Sequence, residues 1–178
     1  MPHPRTIRPL ALLLAQLTLA AVVALPCIAA AIWLFWDQLA PAAAGDLARH
    51  YDPTALGAGA RAAGFGLSLA GALLQAYGLL GVRRTFLEAA ESRPLSASSV
   101  NGFRRFAWVS LAMAFVTVVQ RTGLVVILSM SDPSKPGALS FSLGTPDLKA
   151  IFTGLLLVFV AQVFSHGKTA KDENDAFL

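Results

Sequence analysis

The chain has 178 residues, of which 56% are hydrophobic and only 13% are charged, and its formal net charge is +4. An ordinary soluble domain has about a quarter of its residues charged, so this composition indicates one integral-membrane domain over residues 1–178. The modest, scattered positive charge argues against a nucleic-acid groove. Cys27 is the only cysteine, which excludes an intrachain disulfide and a cluster of thiolate metal ligands.

Four apolar segments are each long enough to cross a bilayer as a helix of about 20 residues. They predict an all-α membrane protein with transmembrane spans over residues 10–36, 60–82, 106–128 and 148–164. The first segment begins like a signal peptide, but its apolar run continues to Trp36, well beyond a signal core of about 7 to 15 residues. We therefore interpret it as an uncleaved helix.

Basic residues are concentrated on one side of these spans. The connection between the second and third spans contains five arginines, Arg83, Arg84, Arg93, Arg104 and Arg105. The other side has fewer basic residues, and aspartates accompany them. The positive-inside rule predicts that both termini, residues 83–105 and the 166–178 tail lie in the cytoplasm. Trp33 and Trp36 are then expected in the outer interfacial belt, and Trp108 in the inner one.

The second span presents small residues on one face, at Gly64, Ser68, Ala72 and Ala76. A spacing of four residues places them on the same side of a helix, and in lipid such a face lets two backbones approach closely. We interpret the face as packing within the helix bundle. Formation of a homo-oligomer through the same face is the alternative.

Residues 83–105 continue the helical periodicity of the second span until Pro94 ends that helix. Ser96 is the predicted N-cap of the next helix. We therefore predict a helical hairpin at the cytoplasmic membrane surface. Its basic side chains are candidates for holding a protein partner, and lipid headgroup binding explains them equally well; they are Arg83, Arg84, Arg104 and Arg105.

Shorter features flank the first and last spans. Residues 37–57 are predicted to form a short outer helix followed by a loop. Residues 138–144 alternate apolar and polar side chains, as a short strand does. Thr145 is then expected to cap the fourth helix, with Asp147 in its first turn.

Three segments together resemble one protein family: VRRTFLEAAESRPLSASSVNGFRRFAW, SFSL before the last span, and the ending VFSHGKTAKDENDAFL. The sequence resembles the Domain of Unknown Function 2975 family of small bacterial membrane proteins. The resemblance implies four helices in the inner membrane, a basic inner loop and a charged helical end. It also implies a small cytoplasmic helix-turn-helix regulator as a partner, and it carries over no catalytic residue. The chain departs from the family pattern at Ser99, where a capping-box glutamate is typical, and at Ser165 and His166, where basic residues are common.

Arg121 stands inside the third apolar segment, in the stretch FVTVVQRTGLVVIL. At about 1.5 Å per residue it lies about 22 Å along a helix that begins at Phe106, hence in the outer third of the bilayer. We expect its guanidinium to reach the headgroups or to pair with Asp147 or Asp37. The alternative is an inward-facing anion site, because charges within a membrane often mark a substrate pathway.

Apart from Arg121 and its neighbour Gln120, the strongly polar residues within the spans are Gln16, Gln75 and Gln162. All three lie in the inner half of the predicted bilayer. We expect a layer of interhelical hydrogen bonds there rather than a polar conduit. No acidic residue lies within the span cores, which argues against a proton-coupled carrier.

Neither histidine nor cysteine offers a chemical site. His50 is on the opposite side of the predicted membrane from His3 and His166, so the three cannot share a metal ion. Cys27 lies within the first span, where a packed apolar thiol is expected. Because phosphate loops, catalytic triads and paired intramembrane carboxylates are missing from the sequence, we expect no enzymatic activity, cofactor or metal.

These observations predict a non-enzymatic membrane regulator or sensor component. Its 83–105 hairpin and 166–178 tail would bind a cytoplasmic protein, without direct contact to nucleic acid. A small-solute or ion transporter that uses Arg121 is one alternative, and a structural subunit of a membrane complex is another.

Overall fold

The computed structural model describes residues 4–44, 56–131 and 144–176. Nearly all of these residues are helical, in five helices: α1 (Pro4–Leu34), α2 (Trp36–Ala44), α3 (Ala58–Ala90), α4 (Ala97–Ser131) and α5 (Thr145–Ala176). These ranges contain no β-strand. The strand predicted over 138–144 lies outside the described residues except for Gly144.

Four of these helices, α1, α3, α4 and α5, are long and apolar enough to cross a membrane. The four predicted spans are therefore confirmed as helices of sufficient length. α2 supplies the short outer helix predicted within residues 37–57. Residues 45–55 of that segment lie outside the described part of the chain.

The helices extend beyond the predicted apolar spans. α3 continues past Val82 to Ala90, α4 begins at Ala97, and α5 continues to Ala176. Residues 83–105 are therefore the ends of α3 and α4 with the turn between them. The α3 extension is continuous with its apolar span, since the sequence has no proline between Val82 and Ala90 to interrupt the helix.

Each long helix packs against the next one in the chain, so that α1 contacts α3, α3 contacts α4 and α4 contacts α5. The neighbours run antiparallel, with Gly81 against Gly102 near one end of the α3–α4 pair and Gly71 against Gln120 nearer the other. The carboxyl ends of α3 and α5 consequently lie beside the amino end of α4. We call this end, built from residues 83–105 and the end of α5, the basic end.

Large apolar side chains cover the outside of the bundle, and small residues fill its interior. Leu34 and Phe152 are 80% and 69% exposed, whereas Ala107 and Ala161 are buried. This distribution suits lipid, since hydrocarbon surrounds the outward side chains and small residues let the helices approach. Cys27 belongs to the outward surface. The packed thiol expected at this position is therefore wrong.

Trp36 lies inside the protein. It stacks on Trp33 with ring centroids 4.3 Å apart, and it is 2% exposed in a cluster with Leu56 and Leu128. Trp36 is therefore packed within the protein and not exposed to lipid, while its depth at the outer interface stays a prediction. The turn at Phe35 places the Trp36 ring against α4 instead.

Candidate functional site

The small-residue face of α3 packs against α1. The indole N–H of Trp33 donates a hydrogen bond to the hydroxyl of Ser68 at 3.0 Å. A Cβ atom on Gly64 would overlap the same indole ring, and Ala76 is buried. Packing within the bundle, as interpreted from the spacing, is confirmed at these positions. Formation of a homo-oligomer stays a prediction.

The other side of α3 meets α4 in a close backbone contact. A Cβ atom on Gly81 would lie 2.5 Å from the carbonyl oxygen of Gly102, so neither position has room for a side chain. Nearby, the hydroxyl of Thr85 donates to the carbonyl of Ser99 at 2.9 Å. These two contacts hold the extensions of α3 and α4 together at the basic end.

A tight turn joins these two extensions. Ser92 has a positive φ of 61°, and its backbone N–H donates to the carbonyl of Ala89 at 3.1 Å. The N–H of Arg93 donates to the carbonyl of Glu88 at 2.9 Å. This pair of bonds is the Schellman arrangement, which satisfies the last carbonyl groups of α3.

Ser96 caps the start of α4, as predicted. Its hydroxyl accepts a hydrogen bond from the backbone N–H of Ser99 at 3.0 Å. Ser99 is 1% exposed and lies against α3. The buried position of Ser99 leaves little room for a longer side chain such as glutamate.

The four arginines singled out from the sequence have different surroundings. The guanidinium of Arg105 lies over the ring of Tyr77, 4.7 Å from its centroid. Arg83 is partly buried, and its Nε has no hydrogen-bond partner among the described residues. Arg84 and Arg104 are exposed. The structure therefore leaves the last two most accessible to another molecule.

The acidic residues of the turn are neutralised locally. Arg93 hydrogen-bonds to Glu91 and lies 3.5 Å from Glu88. The bond to Glu91 and the charge of Glu88 raise the pKa of the Arg93 guanidinium above its ordinary value, so it stays charged at any physiological pH. Arg93 balances one of these two negative charges, so the remaining arginines still leave the basic end with a net positive charge.

Arg121 joins α4 to α5 through an ion pair. Its guanidinium donates to both carboxylate oxygens of Asp147, at 3.1 and 3.2 Å. The Asp147 side chain is 4% exposed and that of Arg121 is 43% exposed. Of the two aspartates expected to pair with Arg121, Asp147 is therefore the partner. Asp37 pairs with Arg61 of α3 instead, at 2.5 and 3.3 Å.

The same carboxylate also fixes the start of α5. The backbone N–H of Gly144 donates to Asp147 at 2.8 Å. Gly144 therefore occupies the cap position and Asp147 the third helical position, as in a capping box. The expected cap at Thr145 is wrong by one residue, because Thr145 is already helical.

A cavity of about 770 Å³ lies between α1, α3 and α4. Its walls are mostly apolar, and the polar residues among its lining are Ser68, Gln75, Thr117, Gln120 and Arg121. Thr117 donates to the carbonyl of Met113, and Ser68 already accepts from the tryptophan indole. Since most of these polar groups are engaged within the protein, the cavity suits an apolar or weakly polar molecule better than a hydrated ion.

The structure does not bring the three predicted glutamines together. Gln16 is exposed on α1, Gln75 borders the large cavity, and Gln162 borders a smaller cleft between α4 and α5. The expected hydrogen-bonded layer does not form among the described residues, because the helices pack in a row. Instead, the amide of Gln120 donates to the carbonyl of Leu67 at 2.9 Å and joins α4 to α3. The sequence signal for this residue was its polarity beside the intramembrane arginine.

The described ranges contain no group of three or more side chains that could hold a metal ion. His166 is exposed on α5. His3 and His50 lie outside these ranges.

The long apolar helices and their outward apolar surface define a multi-pass membrane protein whose described residues are nearly all helical. No protein-family model, no curated protein and no solved structure matches the chain. The resemblance to the Domain of Unknown Function 2975 family therefore stays a prediction.

Proposed function

We propose that the protein is a non-enzymatic membrane regulator or sensor component whose basic end binds a cytoplasmic protein at the inner membrane of a bacterium. The observation that carries this proposal is the helical extension of α3 and α4 beyond their apolar spans. From Val82 to Ala90 the extension of α3 measures about 12 Å at 1.5 Å per residue. This length would carry the end of the helix clear of the hydrocarbon layer.

Contacts within the protein itself hold the α3 and α4 extensions together. The Gly81–Gly102 contact, the Thr85 hydrogen bond and the turn at Ser92 fix the two helices relative to each other. A preformed surface binds with a smaller loss of conformational entropy than a flexible loop. The basic end therefore has the rigidity that a docking surface requires.

Charge indicates the kind of surface that this end would bind. Arg84 is exposed on α3, and it forms no ion pair within the described ranges. An acidic patch on a partner would complement it and increase the rate of association. A small cytoplasmic helix-turn-helix regulator, as the resemblance implies, would have to present such an acidic patch on the surface that faces Arg84.

The charged end of α5 would lie beside this surface. α5 stays helical to Ala176, and Lys168 pairs with Asp172 within the helix. Because Lys168 and Asp172 neutralise each other within the helix, we expect them to add little electrostatic attraction for a partner. The α5 end would instead contribute to the shape of the docking surface.

The test replaces Arg84 with glutamate and measures partner recovery from membranes in mild detergent. We expect recovery to fall about tenfold or more in Arg84→Glu, because an attractive contact becomes a repulsive one. Lys149→Glu is the matched control, since it makes the same charge change at an exposed position on the opposite end of the bundle. Equal recovery with Arg84→Glu and with the unaltered protein, at equal membrane insertion, would reject the docking role.

The cavity beside Arg121 favours a second function, transport of a small solute or ion. Arg121 borders this cavity while it pairs with Asp147. Intramembrane charges that border cavities often mark a transport route. Because the guanidinium is already neutralised, this function is supported less well than docking at the basic end.

Flux measurements in liposomes separate the two functions. A transporter would show solute uptake above that of empty vesicles, and Arg121→Leu combined with Asp147→Asn would abolish it. The combined variant is needed because Arg121→Leu alone would leave a buried carboxylate without a partner. The docking function instead predicts uptake equal to that of empty vesicles.

A further inference from the structure

A cleft of about 270 Å³ opens between α4 and α5 at the basic end. Both helices contribute side chains spaced three or four residues apart, which therefore lie on the facing sides of the pair. They are Arg104, Trp108, Val158, Gln162, Ser165 and His166. This cleft is separate from the large cavity, which α1, α3 and α4 enclose.

The chemistry of the cleft suits an anion that carries several oxygen atoms. A guanidinium, a carboxamide, a hydroxyl and an imidazole converge there, and no carboxylate lines it. Within the described part of the chain, Arg104, Gln162 and His166 form no side-chain hydrogen bond or ion pair. A guanidinium binds phosphate oxygens in a bidentate manner, which makes a phosphate group the best match.

The position of the cleft relates it to the bilayer. Arg104 lies just before the predicted third span, and His166 lies just after the fourth. Trp108 is 55% exposed, as is typical of tryptophans at a membrane interface. Val158, at the other extreme of the cleft, belongs to the buried core between the helices. The cleft therefore lies where headgroups meet hydrocarbon.

An apolar track on α5 continues from the cleft toward the bilayer centre. Leu155, Phe159, Gln162 and His166 follow one another at spacings of three or four residues, hence on one helical face. Leu155 and Phe159 are 53% and 63% exposed. Such a face provides contact for an acyl chain directly below a site for its headgroup.

We propose that this cleft binds the phosphate group of an anionic phospholipid of the cytoplasmic leaflet, with an acyl chain along Leu155 and Phe159. Arg104 supplies the charged contact, and Gln162 donates from the opposite wall. This assigns Arg104 to lipid and leaves Arg84 to the protein partner. The site does not depend on the docking function, since the lipid contact uses Arg104 of α4 and the protein contact uses Arg84 of α3.

Native mass spectrometry of the detergent-purified protein, titrated with phosphatidylglycerol, tests the proposal. Phosphatidylcholine with the same acyl chains serves as the zwitterionic comparison. We expect tighter binding of phosphatidylglycerol, and an affinity about tenfold or more weaker in Arg104→Gln, as loss of a charge-assisted hydrogen bond predicts. Arg84→Gln is the matched control at the same end, and it should bind phosphatidylglycerol like the unaltered protein. Partner recovery with Arg84→Glu remains a separate measurement.

Gln162→Leu is a second variant, which removes a donor from α5 without changing the charge. It should weaken phosphatidylglycerol binding several-fold while thermal unfolding stays unchanged. Equal weakening by Arg104→Gln and Arg84→Gln would show only general electrostatic attraction and would overturn the site. Unchanged binding in Gln162→Leu would overturn it too. Glycerol 3-phosphate binding as tightly as the lipid would assign the cleft to a soluble phosphate and reject the lipid.

Discussion

Arg121 is tolerated in an apolar helix because a carboxylate neutralises it at the start of the next helix. Asp147 is almost completely buried, and it accepts hydrogen bonds from both Arg121 and the backbone of Gly144. A buried carboxylate needs such partners, since leaving water is costly for an unpaired charge. The pair therefore links α4 to α5, and its integrity depends on both charges.

Removing the arginine alone should consequently destabilise the protein more than removing both charges. We expect Arg121→Leu to lower the free energy of unfolding in mixed micelles by about 2 to 3 kcal/mol, less than for a fully buried pair because Arg121 is partly exposed. Adding Asp147→Asn should recover most of this loss. If the double variant is no more stable than Arg121→Leu, the unpaired Asp147 carboxylate is not the cause of the loss, and the ion pair does not stabilise the contact between α4 and α5.

Ser92 adopts a backbone conformation that favours glycine. Its φ of 61° is unfavourable for a residue with a side chain, by about 1 kcal/mol. We expect Ser92→Gly to increase the free energy of unfolding by about 0.5 to 1 kcal/mol. Ser98→Gly, in the first turn of α4, is the matched control and should decrease it by a similar amount. A loss of stability in Ser92→Gly would contradict the left-handed conformation.

Sequence alone narrowed the partner of Arg121 to two residues but could not choose between them. Asp37 follows the first apolar segment and Asp147 comes directly before the fourth, so both are predicted to lie on the outer side. Which aspartate pairs with Arg121 depends on which helix packs against α4. Asp37 forms an ion pair with Arg61 of α3 instead. Hydropathy carries no information about neighbouring helices, so this level of detail required the structure.

At the scale of elements, α3 is the central contact helix, with different neighbours on two sides. Gly64 and Ser68 meet α1, whereas Gly81 meets the backbone of α4. The small residues spaced four apart along α3 predicted the face that meets α1. The second face was not predicted from the spacing of four residues, because Gly71, Gly78 and Gly81 share a helical face at spacings of seven and three residues.

The close contact of α3 with α4 predicts opposite effects for two glycines of the same helix. A Cβ at Gly81 would meet the Gly102 carbonyl, so Gly81→Ala should lower the free energy of unfolding by about 1 to 3 kcal/mol. A Cβ at Gly66 would have no neighbouring atom within 4 Å, so Gly66→Ala should be neutral or stabilising by up to about 1 kcal/mol. Unfolding in mixed micelles measures both. Equal effects would contradict the assigned α3–α4 packing.

Hydropathy predicted the existence and approximate position of every long helix. The capping pattern at Ser96 also predicted where α4 begins, since a hydroxyl at that position satisfies a free backbone N–H. In contrast, the predicted glutamine layer did not form. Such a layer requires three helices to meet at one level, and the row of α1, α3, α4 and α5 keeps the glutamines apart.

At the scale of the whole molecule, the antiparallel helices bring most of the exposed arginines to one end. Their apolar outer surfaces require lipid, and the proposed docking and lipid sites both require that the basic end faces the cytoplasm. Charge bias predicts this orientation. The opposite end contains the Arg61–Asp37 and Arg121–Asp147 pairs, which offset its few arginines.

Accessibility of single cysteines in intact bacterial cells measures this orientation directly. In a Cys27→Ser background, Gly59→Cys and Ser98→Cys place a thiol at exposed positions near opposite ends of the bundle. A membrane-impermeant maleimide should label Gly59→Cys in intact cells, and should label Ser98→Cys only after the inner membrane is permeabilised. Labelling of Ser98→Cys in intact cells would contradict a cytoplasmic basic end.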